Sequence, residues 1–178
     1  GTLNPRPPRD HPEPTLHALG HDLRPHPRRL APHLGVVFQH PALDDQLTVR
    51  ENLHHHGRLY ALPRRELASR IDQTLAQADL LDRRDHRVAT LSGGLRRRVE
   101  LVKALLPGPR ILLLDEPMTG LDPASRLALW NQLDRLRRER RLAVILATHQ
   151  LDAAERCDRL ALLHLGRVIA TDTPDRLR

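Results

Sequence analysis

Apolar residues along this chain fall into two alternating patterns, short continuous runs and stripes at helical spacing. The runs predict strands of the kind buried in a parallel sheet, at 35–39, 111–114, 142–147, 159–163 and 167–170. The stripes predict helices at 49–81 with an interruption at Pro63, at 95–106, at 123–140 and at 151–156. Strands that alternate with helices predict an α/β fold with a mainly parallel sheet covered on both faces. Asp122 followed by Pro123 is typical of an N-cap and the first residue of a helix.

The first 32 residues lack this order. They hold eight of the 15 prolines, and prolines at the density of the first fourteen residues exclude a helix there. We therefore predict an atypical Pro- and Arg-rich junction at 1–14 and an ordered domain from residue 15 to residue 178.

The charge of the chain is +7, from 29 basic and 22 acidic residues, and nearly all of the basic residues are arginine. The only lysine is Lys103, and the only aromatic residues are Phe38, Tyr60 and Trp130. A basic nucleic-acid-binding module would explain the charge, but the arginines are scattered along helices and no aromatic platform for bases is present. We therefore expect no nucleic acid partner. The single cysteine, Cys157, indicates a reducing compartment.

Polar residues follow three of the predicted strands, at the edge where open α/β sheets bind ligands. Asp115 and Glu116 end one strand, so one carboxylate could hold Mg²⁺ while the other orients or deprotonates a water. His149 follows a second strand and could reach a phosphate, and Gln39 ends a third. Taken singly, the two acids fit the solvated end of a strand about as well as they fit a metal or catalytic site. A lone histidine is more often hydrogen-bonded within the protein or exposed than in contact with a phosphate.

Ser92, Gly93 and Gly94 stand at the start of a predicted helix. Two glycines let a phosphate approach the backbone, and the free N–H groups and dipole of a helix start favour an anion. A plain serine N-cap with a glycine-rich turn is the simpler explanation of these three residues alone. Their order and spacing relative to the other polar residues favour the phosphate site.

Together these segments resemble the ATP-binding subunit of an ABC transporter, over residues 15–178. Five motifs occur in the family's order. They are the Q-loop at 38–39 (FQ), the signature motif at 91–98 (LSGGLRRR), the Walker B strand at 111–117 (ILLLDEP), the D-loop at 120–123 (GLDP) and the H-loop at 148–149 (TH). Residues 40–60 resemble the drug and antibiotic exporter branch. The resemblance implies a P-loop NTPase-like α/β fold, with a mainly parallel sheet and an inserted helical subdomain at about 44–95.

The resemblance also implies an ATP hydrolase and a role for each residue at the strand ends. Asp115 would hold Mg²⁺, and Gln39 would sense the metal and the attacking water. Glu116 would be the general base, and His149 would contact the γ-phosphate of ATP.

A second group of residues is implied to act across a dimer. Ser92, Gly93 and Gly94 would bind ATP held by a second ATP-binding subunit, in a head-to-tail homodimer or heterodimer, and Asp122 would line the interface. The other implied partner is a polytopic membrane permease. These partners would place the chain in the cytoplasm, on the inner face of the cell membrane.

One part of the family pattern is missing from the sequence. The phosphate cradle, G-x-x-x-x-G-K-[ST], needs a lysine, and Lys103 lies inside the helix after the signature motif. We interpret the chain as N-terminally incomplete, with 1–14 as a damaged or out-of-frame junction, and expect it to bind ATP weakly at best. Two alternatives stay open: a degenerate subunit that lends only its signature motif, and, less favoured, an ABC-type ATPase that acts on DNA.

Two smaller expectations concern basic residues outside these motifs. Arg96, Arg97 and Arg98 could assist an anionic site next to the signature motif. The consecutive histidines at 54–56 point in different directions on a helix, so they cannot chelate one metal, and we expect them at the surface.

Overall fold

A computed structural model describes residues 17–18, 21–22 and 30–178 of the chain. The predicted junction at 1–14 lies outside the described residues. The strands are β1 (His17–Ala18), β2 (His21–Asp22), β3 (Leu34–Val37), β4 (Ile111–Asp115), β5 (Ala143–Ala147), β6 (Leu160–His164) and β7 (Arg167–Asp172). The α-helices are α1 (Val49–Leu59), α2 (Arg64–Gln77), α3 (Gly93–Leu105), α4 (Pro123–Arg140) and α5 (Leu151–Ala154). The elements predicted from the hydrophobic pattern are therefore present, with their ends shifted by a few residues.

Local sequence signals explain where the helices begin. Thr48 and Glu51 form a capping box at the start of α1, in which each side chain accepts a hydrogen bond from the other residue's backbone N–H. Pro63 separates α1 from α2, as predicted. Asp122 is the N-cap of α4 and Pro123 its first residue, which confirms the prediction for this pair.

Three parallel strands form the central sheet, in the order β3-β4-β5. β4 pairs with β3 up to Val37↔Leu114 and with β5 up to Asp115↔Ala147. Because the three strands run in the same direction, their carboxyl ends lie at one edge. The remaining described strands pair antiparallel as two separate hairpins, β1 with β2 and β6 with β7.

One face of this sheet packs against helices. Its core joins strand residues such as Val37, Leu112 and Leu114 to apolar residues of α3, α4 and α5. On the opposite face, Ile145 is 59% exposed and Leu113 is only half-buried. The prediction of a sheet covered on both faces is wrong within the described residues, because the helices of this core all pack on one side.

A second core joins α1 and α2 to the other side of α3. Leu53 of α1, Leu67 and Ile71 of α2 and Val99 and Val102 of α3 are all at most 1% exposed in it. α3 thus has one face in each core, so the position of its first turn relative to the sheet is held by packing from both sides.

His56 departs from the expectation for the three histidines. His54 and His55 are exposed, as predicted, but His56 is half-buried, and its Nε2 has no hydrogen-bond partner among the residues that the structure describes. Burial, and then the charge of Lys103, lower the pKa of His56 from 6.5 to about 4. The residue is therefore neutral in the folded protein at physiological pH.

This shift predicts a pH dependence of stability. Between pH 6.5 and 4, residue 56 takes up a proton in the unfolded chain but not in the folded one, so falling pH favours unfolding. We expect His56→Gln to remove about 1–2 kcal/mol of this loss between pH 7 and pH 4.5, after allowance for solvent screening of a half-buried group, as measured by urea unfolding at the two pH values. His54→Gln, which removes an exposed histidine of the same helix, is the control. Identical pH profiles for wild type and His56→Gln would contradict the prediction.

Candidate functional site

The predicted site residues that follow strands meet at the carboxyl edge of the central sheet. Gln39 comes two residues after the end of β3, Asp115 ends β4, and His149 comes two residues after the end of β5. β4 lies between the other two strands, so Asp115 and Glu116 stand at the middle of this edge. Gln39, Asp115 and His149 are exposed, and Glu116 is half-buried.

Glu116 is the most constrained of these residues. Its φ is 44°, in the left-handed region, and its N–H donates to the carbonyl of Ala147 at 2.9 Å. Carboxylate Oε1 accepts the N–H of His149 at 2.9 Å and lies 2.7 Å from His149 Nδ1. Oε2 accepts the hydroxyls of Thr148 at 3.2 Å and Thr119 at 3.3 Å. The carboxylate is therefore fixed between the loops that follow β4 and β5.

Opposing effects act on the pKa of Glu116. Burial raises this pKa, but hydrogen bonds from His149 and Thr148 outweigh burial and hold it below its ordinary value. The group is thus an ionised carboxylate at neutral pH. An ionised acceptor 2.7 Å from Nδ1 favours the tautomer of His149 that carries its proton on Nδ1, so Nε2 presents a lone pair to solvent.

The oxygens at this edge fit a magnesium ion that is shared with phosphate. The Asp115 carboxylate and the Gln39 amide oxygen are hard ligands of the type that Mg²⁺ prefers. Within the described residues no group of three or more His, Cys, Asp or Glu could hold a metal by itself. Mg²⁺ typically takes one or two protein oxygens and completes its coordination with water and substrate phosphates, so two ligands are compatible with that mode.

Arg97 is a residue whose role the sequence reasoning missed. It is 6% exposed, and its guanidinium donates to the carbonyl oxygens of Phe38, Asp115 and Pro117. Arg97 thus links the segment after β3 to the end of β4. The carbonyls that it binds belong to residues next to Gln39 and Glu116 in the chain. Burial lowers the pKa of Arg97. The expectation that Arg97 assists an anionic site is wrong, because its donors are directed to backbone carbonyls.

The two neighbouring arginines also bind the protein itself. Arg96 forms an ion pair with Asp45 at 3.1 Å and donates to the carbonyl of Ala89. Arg98 donates to the carbonyl of Ala78. These contacts join α3 to the segments around α1 and α2, and a role for Arg96 or Arg98 at an anionic site stays a prediction.

Ser92 is the N-cap of α3, and its Oγ accepts the N–H of Leu95 at 3.3 Å. Ser92 and Gly93 are exposed, whereas Gly94 is buried. The simple N-cap and the phosphate-site interpretations are therefore compatible, because the capped helix start remains open to solvent at its first two positions.

The two glycines differ in what surrounds them. A Cβ on Gly93 would meet nothing within 4 Å, whereas a Cβ on Gly94 would lie 2.2 Å from Ser125 Oγ and 2.7 Å from Ser125 Cβ. Ser125 in turn donates from its Oγ to Asp122 at 2.6 Å. Packing against α4 explains the glycine at 94, while no contact of the described chain requires one at 93.

We therefore expect opposite effects on stability from two matched substitutions. Gly94→Ala should lower the free energy of unfolding by about 1–3 kcal/mol, because Ser125 must move and its bond to Asp122 is disturbed. Gly93→Ala should leave it unchanged or raise it by less than about 1 kcal/mol, since alanine is the better helix former. Urea unfolding of both variants measures the difference, and equal losses would contradict this account of the two positions.

Asp122 also accepts the N–H of Ser125, at 2.9 Å, and these two bonds to Ser125 lower the pKa of its carboxyl group. Ser125 therefore connects Asp122 to Gly94, and the structure brings these two predicted site residues together. A role for Asp122 in nucleotide binding or at a dimer interface stays a prediction.

The family model described as ABC transporter matches residues 9–119. The chain belongs to the ABC transporter family. No helix in the described part of this ABC transporter family member is both long and apolar enough to cross a membrane.

Similar curated proteins are named as ATP-binding proteins of Nod factor export and of daunorubicin resistance. The chain is 44% identical over 145 residues to the Nod factor export ATP-binding protein I of Rhizobium johnstonii, covering 81% of this chain and 46% of the relative. It is 39% identical over 160 residues to a daunorubicin resistance ATP-binding protein of Streptomyces coeruleorubidus, covering 89% of this chain and 49% of the relative. The chain thus spans about half the length of the curated relatives it matches.

Solved structures give the same fold. The cbiO1 protein of Clostridium perfringens, part of the ABC transporter complex cbiONQ, superposes with a TM-score of 0.78 at 29% identity, covering 86% of this chain and 62% of that chain. An ATP-binding subunit of an ABC transporter superposes with a TM-score of 0.70 at 33% identity, covering 89% and 66%. The expectations of the family and of its α/β fold with a parallel sheet are confirmed.

Proposed function

We propose that this chain acts as an ATP-binding subunit of an ABC-type exporter and contributes to ATP hydrolysis. The observation that carries the proposal is the ionised Glu116, held by His149 and Thr148 at the carboxyl edge of three parallel strands. The names of the relatives, Nod factor export and daunorubicin resistance, support export as the process.

In this proposal the strand-end residues act on one ATP molecule. Glu116 accepts a proton from the attacking water, for which an ionised carboxylate fixed in orientation is suited. His149 would donate an Nε2–H to the γ-phosphate while its Nδ1–H donates to Glu116, a contact that requires a proton on both ring nitrogens. Asp115 and Gln39 would hold Mg²⁺, which when bound neutralises charge on the phosphates.

The helix start at Ser92 serves a second ATP-binding subunit in the same proposal. Ser92 and Gly93 are exposed at the first turn of α3, where free N–H groups and the helix dipole favour a phosphate. Gly94 and Asp122 support this turn through Ser125. The two subunits would pair head to tail, as a homodimer or heterodimer.

We further propose a polytopic membrane permease as the transport partner, and a position for the chain in the cytoplasm on the inner face of the membrane. The helices α1 and α2, which have a core of their own with α3, would form the helical subdomain at about 44–95 that docks on the permease. Nucleic acid has no role in the proposal.

The test combines this chain with an ATP-binding subunit that has its own phosphate cradle, such as the daunorubicin resistance relative. We expect the mixture to hydrolyse ATP faster than either protein alone. Ser92→Ala should reduce this stimulation about tenfold, because one charge-assisted hydrogen bond to phosphate is lost. Thr171→Ala in β7 is the control and should leave it unchanged. No stimulation by the wild-type chain would overturn the proposal.

A second candidate is a degenerate subunit that lends only its signature motif. It is favoured by one observation, that the only lysine of the sequence is Lys103, inside α3. The rate of ATP hydrolysis by the same mixture of subunits, with Glu116→Gln in this chain, distinguishes the two candidate functions. If the chain contributes its own hydrolytic residues, this variant lowers ATP hydrolysis; if it lends only Ser92–Gly94, hydrolysis is unaffected.

A further inference from the structure

A polar cleft of about 550 Å³ lies between α2 and the carboxyl-terminal end of α4. Its lining includes Arg65, Arg70 and Arg140, one acid, Glu66, and four residues with hydroxyl or amide side chains. None of the lining residues belongs to the candidate active site, and none is aromatic. The cleft is thus a separate feature that the proposed hydrolysis of ATP does not use.

The charge of this cleft is not balanced. Three arginines and one glutamate give the lining a charge of about +2. Elsewhere on α4, Arg135 pairs with Asp79 at 3.1 Å and Arg137 pairs with Asp158. In the part of the chain that the structure describes, none of the three cleft arginines has a carboxylate partner within 4.0 Å. No ion pair of the described chain therefore neutralises these lining charges.

Two of the three guanidinium groups are held in place. Arg70 Nη2 donates to the carbonyl of Pro107 at 3.3 Å, and it lies so close to Gly108 that a Cβ there would be 2.7 Å away. Arg140 contacts the amide oxygen of Gln77. Each guanidinium has five N–H donors, so several remain for a ligand.

The positive charges of Arg70 and Arg140 in this cleft repel each other. Burial, and then the charge of Arg70, lower the pKa of Arg140 below its ordinary value. The charge of Glu139 acts in the opposite direction, but more weakly than that of Arg70. Two guanidinium groups that line one cleft partly out of water therefore still repel each other, which is unfavourable unless an anion lies with them. A bound anion would relieve this repulsion and use donors that are already oriented.

We propose that this cleft binds a doubly charged oxyanion of the phosphate type, carried on a small molecule. A charge of −2 matches the lining, and the planar guanidinium fork matches phosphate oxygens. Ser69 and Gln73 add neutral polar groups. The volume exceeds that of phosphate alone and lies in the range of small-molecule sites. The lack of aromatic residues in the lining offers no stacking surface for a base.

Titration calorimetry of the full chain at constant ionic strength tests this inference, with inorganic phosphate and glycerol phosphate as probes. We expect saturable binding of one phosphate group, and a dissociation constant about tenfold higher in Arg140→Gln, which loses a charged donor. Arg138→Gln makes the same charge change on the exposed side of α4 and should have no effect. Ser92→Ala should also have none, which separates the cleft from the proposed nucleotide site. Absence of saturation, or an equal loss in Arg138→Gln, would overturn the inference.

Thermal unfolding shows whether the variants fold. Phosphate should raise the Tm of the wild type through binding to the folded state, and at the same concentration it should raise the Tm of Arg140→Gln less. If Arg140→Gln does not fold, Arg65→Gln at the exposed rim provides the second variant, with a rise in the dissociation constant again expected. Vesicles of phosphatidylcholine with phosphatidic acid distinguish the source of the phosphate. Binding to these vesicles without binding of glycerol phosphate would overturn the assignment to a small molecule.

Discussion

Replacing Arg97 by methionine is expected to lower the free energy of unfolding by about 3–5 kcal/mol. The guanidinium is buried and donates to three backbone carbonyls, those of Phe38, Asp115 and Pro117. The contact to Pro117 is buried and the other two are half-buried. A carbonyl that loses its donor away from water costs about 1–3 kcal/mol, and relief of the buried charge offsets part of the sum. Urea unfolding at neutral pH measures the change.

Arg97→Lys is expected to rescue little of this stability, because one ammonium group cannot span three carbonyls. Arg138→Met is the control, since that arginine is exposed on α4, and it should change stability by less than about 1 kcal/mol. Amide hydrogen exchange in Arg97→Met should accelerate at 38–40 and 115–117, the two segments that Arg97 joins. A loss of stability in the control as large as that in Arg97→Met would show that buried carbonyl contacts are not the cause.

Separating the buried pair of Glu100 and Lys103 is the second change with a large expected effect. The two side chains are 3% and 11% exposed, with Lys103 Nζ 3.1 Å from Glu100 Oε2. Lys103 also donates to the carbonyl of Ala42 at 2.8 Å, and Glu100 Oε1 accepts the N–H of Ala42 at 2.7 Å. The pair thus anchors the loop that follows Gln39.

Lys103→Met and Glu100→Leu should each lower the free energy of unfolding by about 3–5 kcal/mol, because each leaves a buried charge without its partner. The double variant should lose clearly less than the sum of the two, with a coupling energy of about 1–3 kcal/mol in a double-mutant cycle. Urea unfolding of the four proteins provides the cycle. Additive losses would show that the ion pair itself does not cause the effect.

The role of Lys103 shows where reasoning from composition reaches its limit. Lys103 is the only lysine of the chain, and the family's phosphate cradle needs a lysine. In the structure it lies inside α3 and serves the Q-loop segment through Glu100 and Ala42. Nothing in the sequence near residue 103 indicates this, because Ala42 lies 61 positions earlier in the chain.

Element order and the main site could be predicted from the sequence by itself. Hydrophobic period, prolines and capping residues act over a few residues, so the predicted bounds of α1 to α4 and of β3 to β7 lie near the observed ones, whereas β1 and β2 were not predicted. Parallel strands bring their carboxyl ends to one edge, so a common edge for Gln39, Asp115, Glu116 and His149 followed from the predicted parallel sheet, while the order β3-β4-β5 came from the structure. These conclusions depend on local or topological rules.

Only the tertiary structure decided which side chains hold that site in place. Thr119 and Thr148 bind Glu116, Arg97 joins two strand ends, and Ser125 connects Gly94 to Asp122. It also decided that β6 and β7 pair apart from the central sheet, and that one face of that sheet is uncovered within the described residues. Such contacts join residues far apart in the chain, and they depend on packing and register that no local pattern encodes.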